Sequence, residues 1–285
     1  MNQINTTVLM SDARNFDDNA AINPYMDQTV AVDRAKAQFE HDEIQAALKA
    51  AGVTVTQVPS PAGCQDGVYT ANWALVHGDT AIMSSLPNAR KAEEPYAEHV
   101  LKALGKTIVH VPDGLRFSGQ GDVLPCGKYL LAGSGYRTDL ETHEFLAKTL
   151  DLEVITLQTV PQMDANGEPV INASSGWPDS FFYDIDLALA VLKPDLIAWC
   201  PEAFMPESQE KLRNLPLRKI EVSLDEAMGA FACNLVSTGE TVIMSGQAPE
   251  FRAAVEAEGL QAISPVIDEL AKGGGYIRCT TLTLS

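Results

Sequence analysis

The chain has 285 residues, 46% of them hydrophobic, enough to bury one large core or two modest ones. Its 38 acidic residues against 20 basic ones give a formal net charge of −18, so no basic face for nucleic acid or an anionic membrane can be drawn. That charge serves solubility and tilts any small-molecule partner towards a cation.

From the N-terminus, β-branched residues near Thr6 to Met10 predict a strand, Val32 to Ala51 a helix that stops at Gly52, and Val53 to Val58 a second strand. Leu75-Val76-His77-Gly78-Asp79-Thr80-Ala81-Ile82-Met83-Ser84 then reads as strand, tight turn and strand, followed by a helix over Glu93 to Leu104 and a strand over Lys106 to Val111. A weaker copy, Val123 to Ala132, continues through a helix at Asp139 to Leu150 and a strand at Leu152 to Leu157. A looser unit runs from Asp184 through Cys200, a helix near Glu207 to Arg213 and a strand at Arg218 to Val222. The clearest echo of the first hairpin is Leu235 to Ser245, with a helix at Glu250 to Glu258 and a strand at Leu260 to Ser264.

The repeating unit is hairpin, helix and strand, and such units bury their faces on one another. Five can be drawn if the last strand, 277–284, pairs with the N-terminal strand, so residues 1–285 form a single α/β domain closed into a ring. A ring has an axis on which loops from different units converge. The Pro161 to Pro178 stretch is the longest irregular region and reads either as a cover over the mouth of that axis or as a surface excursion.

The apolar runs are too short to cross a bilayer, and the opening MNQINTTVLMSDARNF lacks the charged-then-apolar pattern of a secretory leader. Cys64, Cys126, Cys200, Cys233 and Cys279 form no close pairs, which points to reduced thiols in a cytoplasmic protein. The histidines show no metal-ligand spacing, so neither a metal nor another cofactor is expected. Oligomeric state is not legible in the sequence, and a homodimer is left open.

The tail Gly273-Gly274-Gly275-Tyr276-Ile277-Arg278-Cys279-Thr280 places a thiol at the mouth of a glycine turn, with the C-terminal strand as its expected support. Cys279 there is either a nucleophile or a small buried core residue.

Several stretches together carry a resemblance: Ile22-Asn23-Pro24-Tyr25-Met26, Gln65-Asp66-Gly67-Val68-Tyr69-Thr70-Ala71-Asn72, Gly119-Gln120-Gly121-Asp122-Val123-Leu124, Gly135-Tyr136-Arg137-Thr138-Asp139 and the tail. In this order, over essentially the whole chain, they resemble the guanidine-modifying enzymes of the pentein superfamily. That group includes arginine deiminases, dimethylarginine dimethylaminohydrolases, arginine dihydrolases and amidinotransferases. The resemblance implies a five-bladed α/β propeller, an enzyme that cleaves a guanidino or ureido C–N bond, and Cys279 as the nucleophile that forms a covalent thiouronium adduct. It also implies that Asp66, Asn72 and Asn23 orient the substrate, while Arg137 and Arg90 grip a substrate carboxylate. Asn23 and Asn72 match the dihydrolases in particular.

The resemblance breaks at the general acid/base. The family's His-x-Asp run corresponds to Asp184-Ile185-Asp186, so Asp184 stands for the histidine and Asp186 keeps the second acid. Ser118, or Gly119 with a slip of one, stands where the supporting glutamate would be. Read as strand residues, Asp184 and Asp186 face one side. They then either share a proton, with one pKa raised to about 5–7, or act as a clamp around a cation, and a structural role for Asp184 is the third option. The functional readings are a hydrolase on a guanidino or ureido compound, an amidinotransferase, and a non-catalytic binding protein of the same fold.

Overall fold

A computed structural model describes residues 3–285. The five units are present, each a three-stranded sheet with its middle strand antiparallel to one neighbour and parallel to the other. In the first, β1 (Thr7–Ser11) leads through α1 (Arg34–Ala50) to the parallel strand β2 (Thr54–Val58). The second has β3 (Ala74–His77), β4 (Thr80–Met83), α2 (Glu94–Ala103) and β5 (Thr107–His110). A single turn, α3 (Gly119–Asp122), opens the third, followed by β6 (Val123–Cys126), β7 (Tyr129–Gly133), α4 (Leu140–Leu150) and β8 (Glu153–Leu157). The fourth is β9 (Leu189–Lys193), β10 (Leu196–Trp199), α5 (Pro206–Asn214) and β11 (Arg218–Glu221). The fifth is α6 (Leu224–Gly229), β12 (Val236–Ser237), β13 (Thr241–Ile243), α7 (Pro249–Ala257) and β14 (Gln261–Ile263).

The final strand, β15 (Leu282–Thr283), pairs antiparallel with β1 through Val8↔Thr283 and Leu9↔Leu282. The two chain ends therefore complete one blade of a five-bladed α/β propeller. Neighbouring innermost strands meet as β15 with β3, β6 with β9 and β9 with β12. The fifth and first units are tied by Asn5 Nδ2 donating to the Ser237 carbonyl at 2.8 Å.

Burial follows this arrangement. Innermost β3 and β6 are almost wholly buried, whereas rim strands β2, β5 and β11 mix exposed and half-buried residues, with only Ile220 of β11 buried. Each parallel crossover is a helix, as the geometry of a βαβ connection requires. Helix α1 begins where Asp33 Oδ1 accepts the N–H groups of Ala35 and Lys36, and ends before Gly52, whose φ of 85° reverses the chain.

Two local expectations are corrected. Only Leu282–Thr283 of the predicted strand 277–284 is paired, and Cys279 lies in a turn, with Thr281 N–H donating to the Arg278 carbonyl at 3.0 Å. Asp184 and Asp186 are not on a strand either, because Ile185–Leu187 form a single 3-10 turn ahead of β9. The reason is shared. Residues just upstream of an innermost strand bend over the end of the axis, and bent backbone has no partner strand. The Pro161 to Pro178 stretch folds on itself through Val170 N–H to Gln162 O and Asp179 N–H to Val170 O, with the Trp177 ring over the Arg116 guanidinium.

Candidate active site

Each unit contributes residues from the segment just before its innermost strand. Asn72 precedes β3, Ser118 and Asp122 precede β6, Asp184 and Asp186 precede β9, Asn234 precedes β12, and Cys279 precedes β15. These positions lie far apart in the chain and meet at one end of the axis.

Cys279 is 2% exposed. Its Sγ lies 3.5 Å from Asp186 Oδ2 and receives the Asn234 Nδ2–H at 3.2 Å. The glycine run is explained by crowding. A Cβ on Gly275 would fall 2.8 Å from the Cys279 Cβ, and one on Gly273 would meet the Tyr69 hydroxyl. Gly274, at φ 81°, lies against Asn23, whose Nδ2 donates to the Gly273 carbonyl at 2.9 Å. Burial, then the charges of Asp186 and Asp184, push the Cys279 thiol well above its ordinary range, so in the free protein it is protonated at neutral pH.

Asp184 is pinned by one oxygen. Its Oδ2 accepts Asn72 Nδ2–H at 2.6 Å, while its Oδ1 is buried without a partner among the described residues. Asp186 Oδ1 is likewise buried and unpartnered. Asp122 accepts the Ile185 N–H at 3.0 Å and so fixes the turn that carries both acids. All three carboxyls are raised, first by burial, with Asp184 the next cause for Asp122 and Asp186. Close approach of these segments needs small residues. A Cβ at Gly121 would lie 2.7 Å from Asp184 Oδ2, and one at Gly133 only 1.9 Å from Asp122 Oδ1.

Asn72 is the junction between this cluster and a buried ion pair. Its Nδ2 also faces Ser118 Oγ at 3.0 Å, and its Oδ1 accepts from Arg90 Nη1 at 2.8 Å. Arg90 in turn donates to both Glu93 carboxylate oxygens at 2.7 and 2.8 Å, and to the carbonyls of Asp66 and Tyr69. The guanidinium expected to grip a substrate carboxylate is thus engaged on every side. Its geometry is that of a brace for Asn72.

Arg137 is different. It is buried over the Tyr183 ring at 4.5 Å, donates Nη2–H to the Ile22 carbonyl at 2.6 Å, and forms no ion pair among the described residues. Asp66 is buried beside Gln65, whose Nε2 donates to it at 3.1 Å, and burial pushes its pKa up to about 7.

Sequence reasoning missed Asn234, Glu93, Tyr183 and Arg278. Asn234 immediately precedes Leu235, where the clearest repeat echo begins, just as Asn72 lies three residues before Leu75. Reading the residues upstream of each hairpin would have found it. Arg278, beside the cysteine in the chain, is buried with Nη2 donating to Gln120 Oε1 at 3.0 Å and Nη1 to Thr283 Oγ1 at 2.9 Å.

The family model for N,N dimethylarginine dimethylhydrolase, eukaryotic, matches residues 8–285. The chain belongs to the dimethylarginine dimethylaminohydrolase family. It is 34% identical over 268 residues to the N(G),N(G)-dimethylarginine dimethylaminohydrolase of Mycobacterium tuberculosis, covering 93% of this chain and 81% of that one. It is 30% identical over 285 residues to the bifunctional arginine dihydrolase/ornithine cyclodeaminase AgrE of Nostoc sp., spanning 97% of this chain but 37% of AgrE. Among solved structures, the product-bound N-terminal domain of ArgZ, a cyanobacterial arginine dihydrolase, superposes with a TM-score of 0.87 at 28% identity, covering 98% of this chain and 97% of that domain. A variant of the same domain has been solved covalently bonded to a reaction intermediate. Membership of this family makes the chain a pentein and a cysteine-dependent hydrolase of guanidino C–N bonds. No helix among the described residues is long and apolar enough to cross a membrane.

Proposed function

We propose that the substrate is a guanidino amino acid of the arginine type, and that Asp184 and Asp186 perform the proton chemistry that a histidine performs elsewhere in the superfamily. The observation that carries this reading is the pair of buried, unpartnered oxygens, Asp184 Oδ1 and Asp186 Oδ1, beside the thiol. Buried carboxylate oxygens are costly unless something donates to them. A planar guanidinium carries N–H groups on two edges and suits both. Arg137, buried and without an ion pair, is the complementary feature for the carboxylate at the other end of the substrate.

In this scheme the cation compensates the acids and lowers the thiol pKa as it binds. Asp186 Oδ2 takes the Sγ proton, and the thiolate adds to the guanidinium carbon. The S–C bond forms and one C–N bond breaks, with the departing nitrogen taking its proton from Asp184. Water then adds to the thiouronium carbon as the Asp184 carboxylate takes a proton from it. Cleavage of the S–C bond, as the adduct hydroxyl loses its proton to solvent, releases the ureido product and a thiolate. That thiolate takes back the proton held on Asp186, restoring the starting thiol, the Asp186 carboxylate and the Asp184 acid. The raised state of all three acids supports a proton held within the cluster before substrate arrives. Ser118, Asn72, Arg90 and Asn23 position this machinery, and Asp66 adds a further carboxylate for the guanidinium.

The test is turnover of arginine, N-methylated arginines and the decarboxylated amine analogue, with ammonia, methylamines and ureido product measured and Cys279→Ser as control. Turnover of amino acids but not of the decarboxylated analogue, with an adduct on Cys279 by intact mass, is expected. Neither turnover nor adduct across the panel, from a folded protein, would sink the reading. Acceleration by an added amine, with its incorporation into product, would assign amidino transfer.

A further inference from the structure

We infer that Asn234 is a catalytic residue that donates its amide N–H to the sulfur of Cys279 as the thiolate forms and again as the adduct departs. This deepens the reading of Cys279 as nucleophile and rests on it. The orientation of the amide is fixed by its surroundings. Asn234 Oδ1 accepts two backbone N–H groups, those of Tyr276 and Cys279, both at 3.1 Å. Flipping the amide would set its NH2 against two donors, so Nδ2 must face the other way. There it meets Cys279 Sγ at 3.2 Å and the Asp186 carbonyl at 3.4 Å. One fully buried side chain therefore holds the backbone of the nucleophile and points a donor at its reacting atom.

The segment that delivers Asn234 is strained. Phe231 has φ 50°, in the left-handed region that a bulky aromatic side chain rarely adopts. It is held there by stacking on Tyr276, with ring centroids 5.5 Å apart and planes 6° from parallel, and by Tyr25 at 4.8 Å on another side. Asn234 N–H closes the turn on the Phe231 carbonyl at 2.9 Å, and Arg278 N–H reaches the Asn234 carbonyl at 3.4 Å. The strained turn and the nucleophile turn are thus bonded face to face.

A side-chain donor on sulfur matters because burial and both acids oppose its ionisation, with only the Tyr276 backbone beside Asn234 favouring it. Asp186 Oδ2 lies 3.5 Å away, and the charges of Asp186 and Asp184 both favour the neutral thiol. The Nδ2–H offsets them and stabilises sulfur whenever it carries negative charge.

The discriminating variant is Asn234→Asp, nearly isosteric, which keeps an oxygen for the two backbone N–H groups and replaces the amide donor. Asn234→Ser, which keeps a short donor, is the second. Iodoacetamide alkylation of Cys279 in the free protein, followed by mass between about pH 6 and about pH 9, needs no substrate and stands apart from the functional reading. Alkylation of Asn234→Asp should be at least about tenfold slower throughout, with Asn234→Ser between it and wild type. On any compound the wild type turns over, kcat of Asn234→Asp should fall about 10²-fold, the scale of losing one preorganised donor. Unchanged alkylation and kcat within about twofold, in a folded variant, would overturn the inference and leave Asn234 a structural pin. Failure of both variants to fold would overturn it in the same direction.

Discussion

Glu93→Gln tests whether the ion pair behind Asn72 holds the site. Glu93 is fully buried and accepts from Arg90 Nε at 2.8 Å, Arg90 Nη2 at 2.7 Å and Trp73 Nε1 at 3.0 Å. Removing its charge leaves the guanidinium of Arg90, itself 3% exposed, without a counter-ion in contact. Breaking one side of a buried pair costs about 3–5 kcal/mol. Glutamine keeps one acceptor, and Asn72 and two carbonyls still receive Arg90, so the lower end, about 3 kcal/mol, is the expected loss. Against a typical total of about 5–15 kcal/mol the variant should still fold, with an earlier urea midpoint. Activity should fall by about tenfold, because Arg90 Nη1 fixes the Asn72 oxygen and thereby the amide that holds Asp184. The double variant Arg90→Gln with Glu93→Gln should lose less stability than the two singles added together. A loss under about 1 kcal/mol from Glu93→Gln, measured by urea unfolding, would refute the reasoning by showing that the charge is solvated after all.

Three further outcomes follow from the geometry. Because burial and two neighbouring acids raise the Cys279 thiol well above its ordinary range, its alkylation in the free protein should stay slow at neutral pH and still be rising at about pH 9. Fast alkylation that is flat down to about pH 6 would contradict that electrostatic account. Asp66, with its pKa pushed up to about 7, is protonated below that pH and charged above it. Affinity for a cationic substrate should therefore increase as pH rises through about 7, and Asp66→Asn should flatten that step in kcat/KM. Gly133→Ala would drive a methyl into Asp122 Oδ1 and loosen the turn bearing Asp184 and Asp186, for a loss of about 1–3 kcal/mol and at least about tenfold in activity. Gly229→Ala, whose methyl meets nothing within 4 Å, is the control that should leave both unchanged or slightly improved.

The propeller was legible because repetition amplifies weak local signals. The hairpin at Leu75 to Ser84 means little alone, but its echo at Leu235 to Ser245 implies a shared unit, and both sit where strands β3, β4, β12 and β13 form. Motifs named Cys279, Asp66 and Asn72, and the structure buries all three, with Cys279 and Asn72 at one end of the axis. What could not be read was how they are held. The C-terminal strand was expected to begin near Ile277, since β-branched residues favour strands, yet Asn234 captures the Tyr276 and Cys279 N–H groups and bends that backbone away from any ladder. Arg90 was expected to face the substrate, but a one-dimensional reading does not show that Glu93, three residues on, folds back onto it. Both errors have one source: a side chain from elsewhere in space took a hydrogen bond that local propensity would have assigned differently.

The same kind of long-range contact bears on the proposal that Asp184 and Asp186 take the place of the family's histidine. Proton chemistry as proposed would not depend on a single side chain, since Asp122, Asp184 and Asp186 lie within one buried cluster and burial makes each hold its proton more tightly. A histidine at position 184 would bring a positive charge when protonated. An aspartate brings none, and in the proposed scheme it holds a proton beside the Asp186 carboxylate, so the pair stays net negative and demands a cation between the acids and the thiol. On that proposal the exchange would couple activation to occupancy. With the pocket empty, Cys279 is a neutral thiol hemmed in by carboxyls. With a guanidinium between Asp184 Oδ1 and Asp186 Oδ1, the same carboxyls are compensated, and the proton on sulfur has a base 3.5 Å away to receive it.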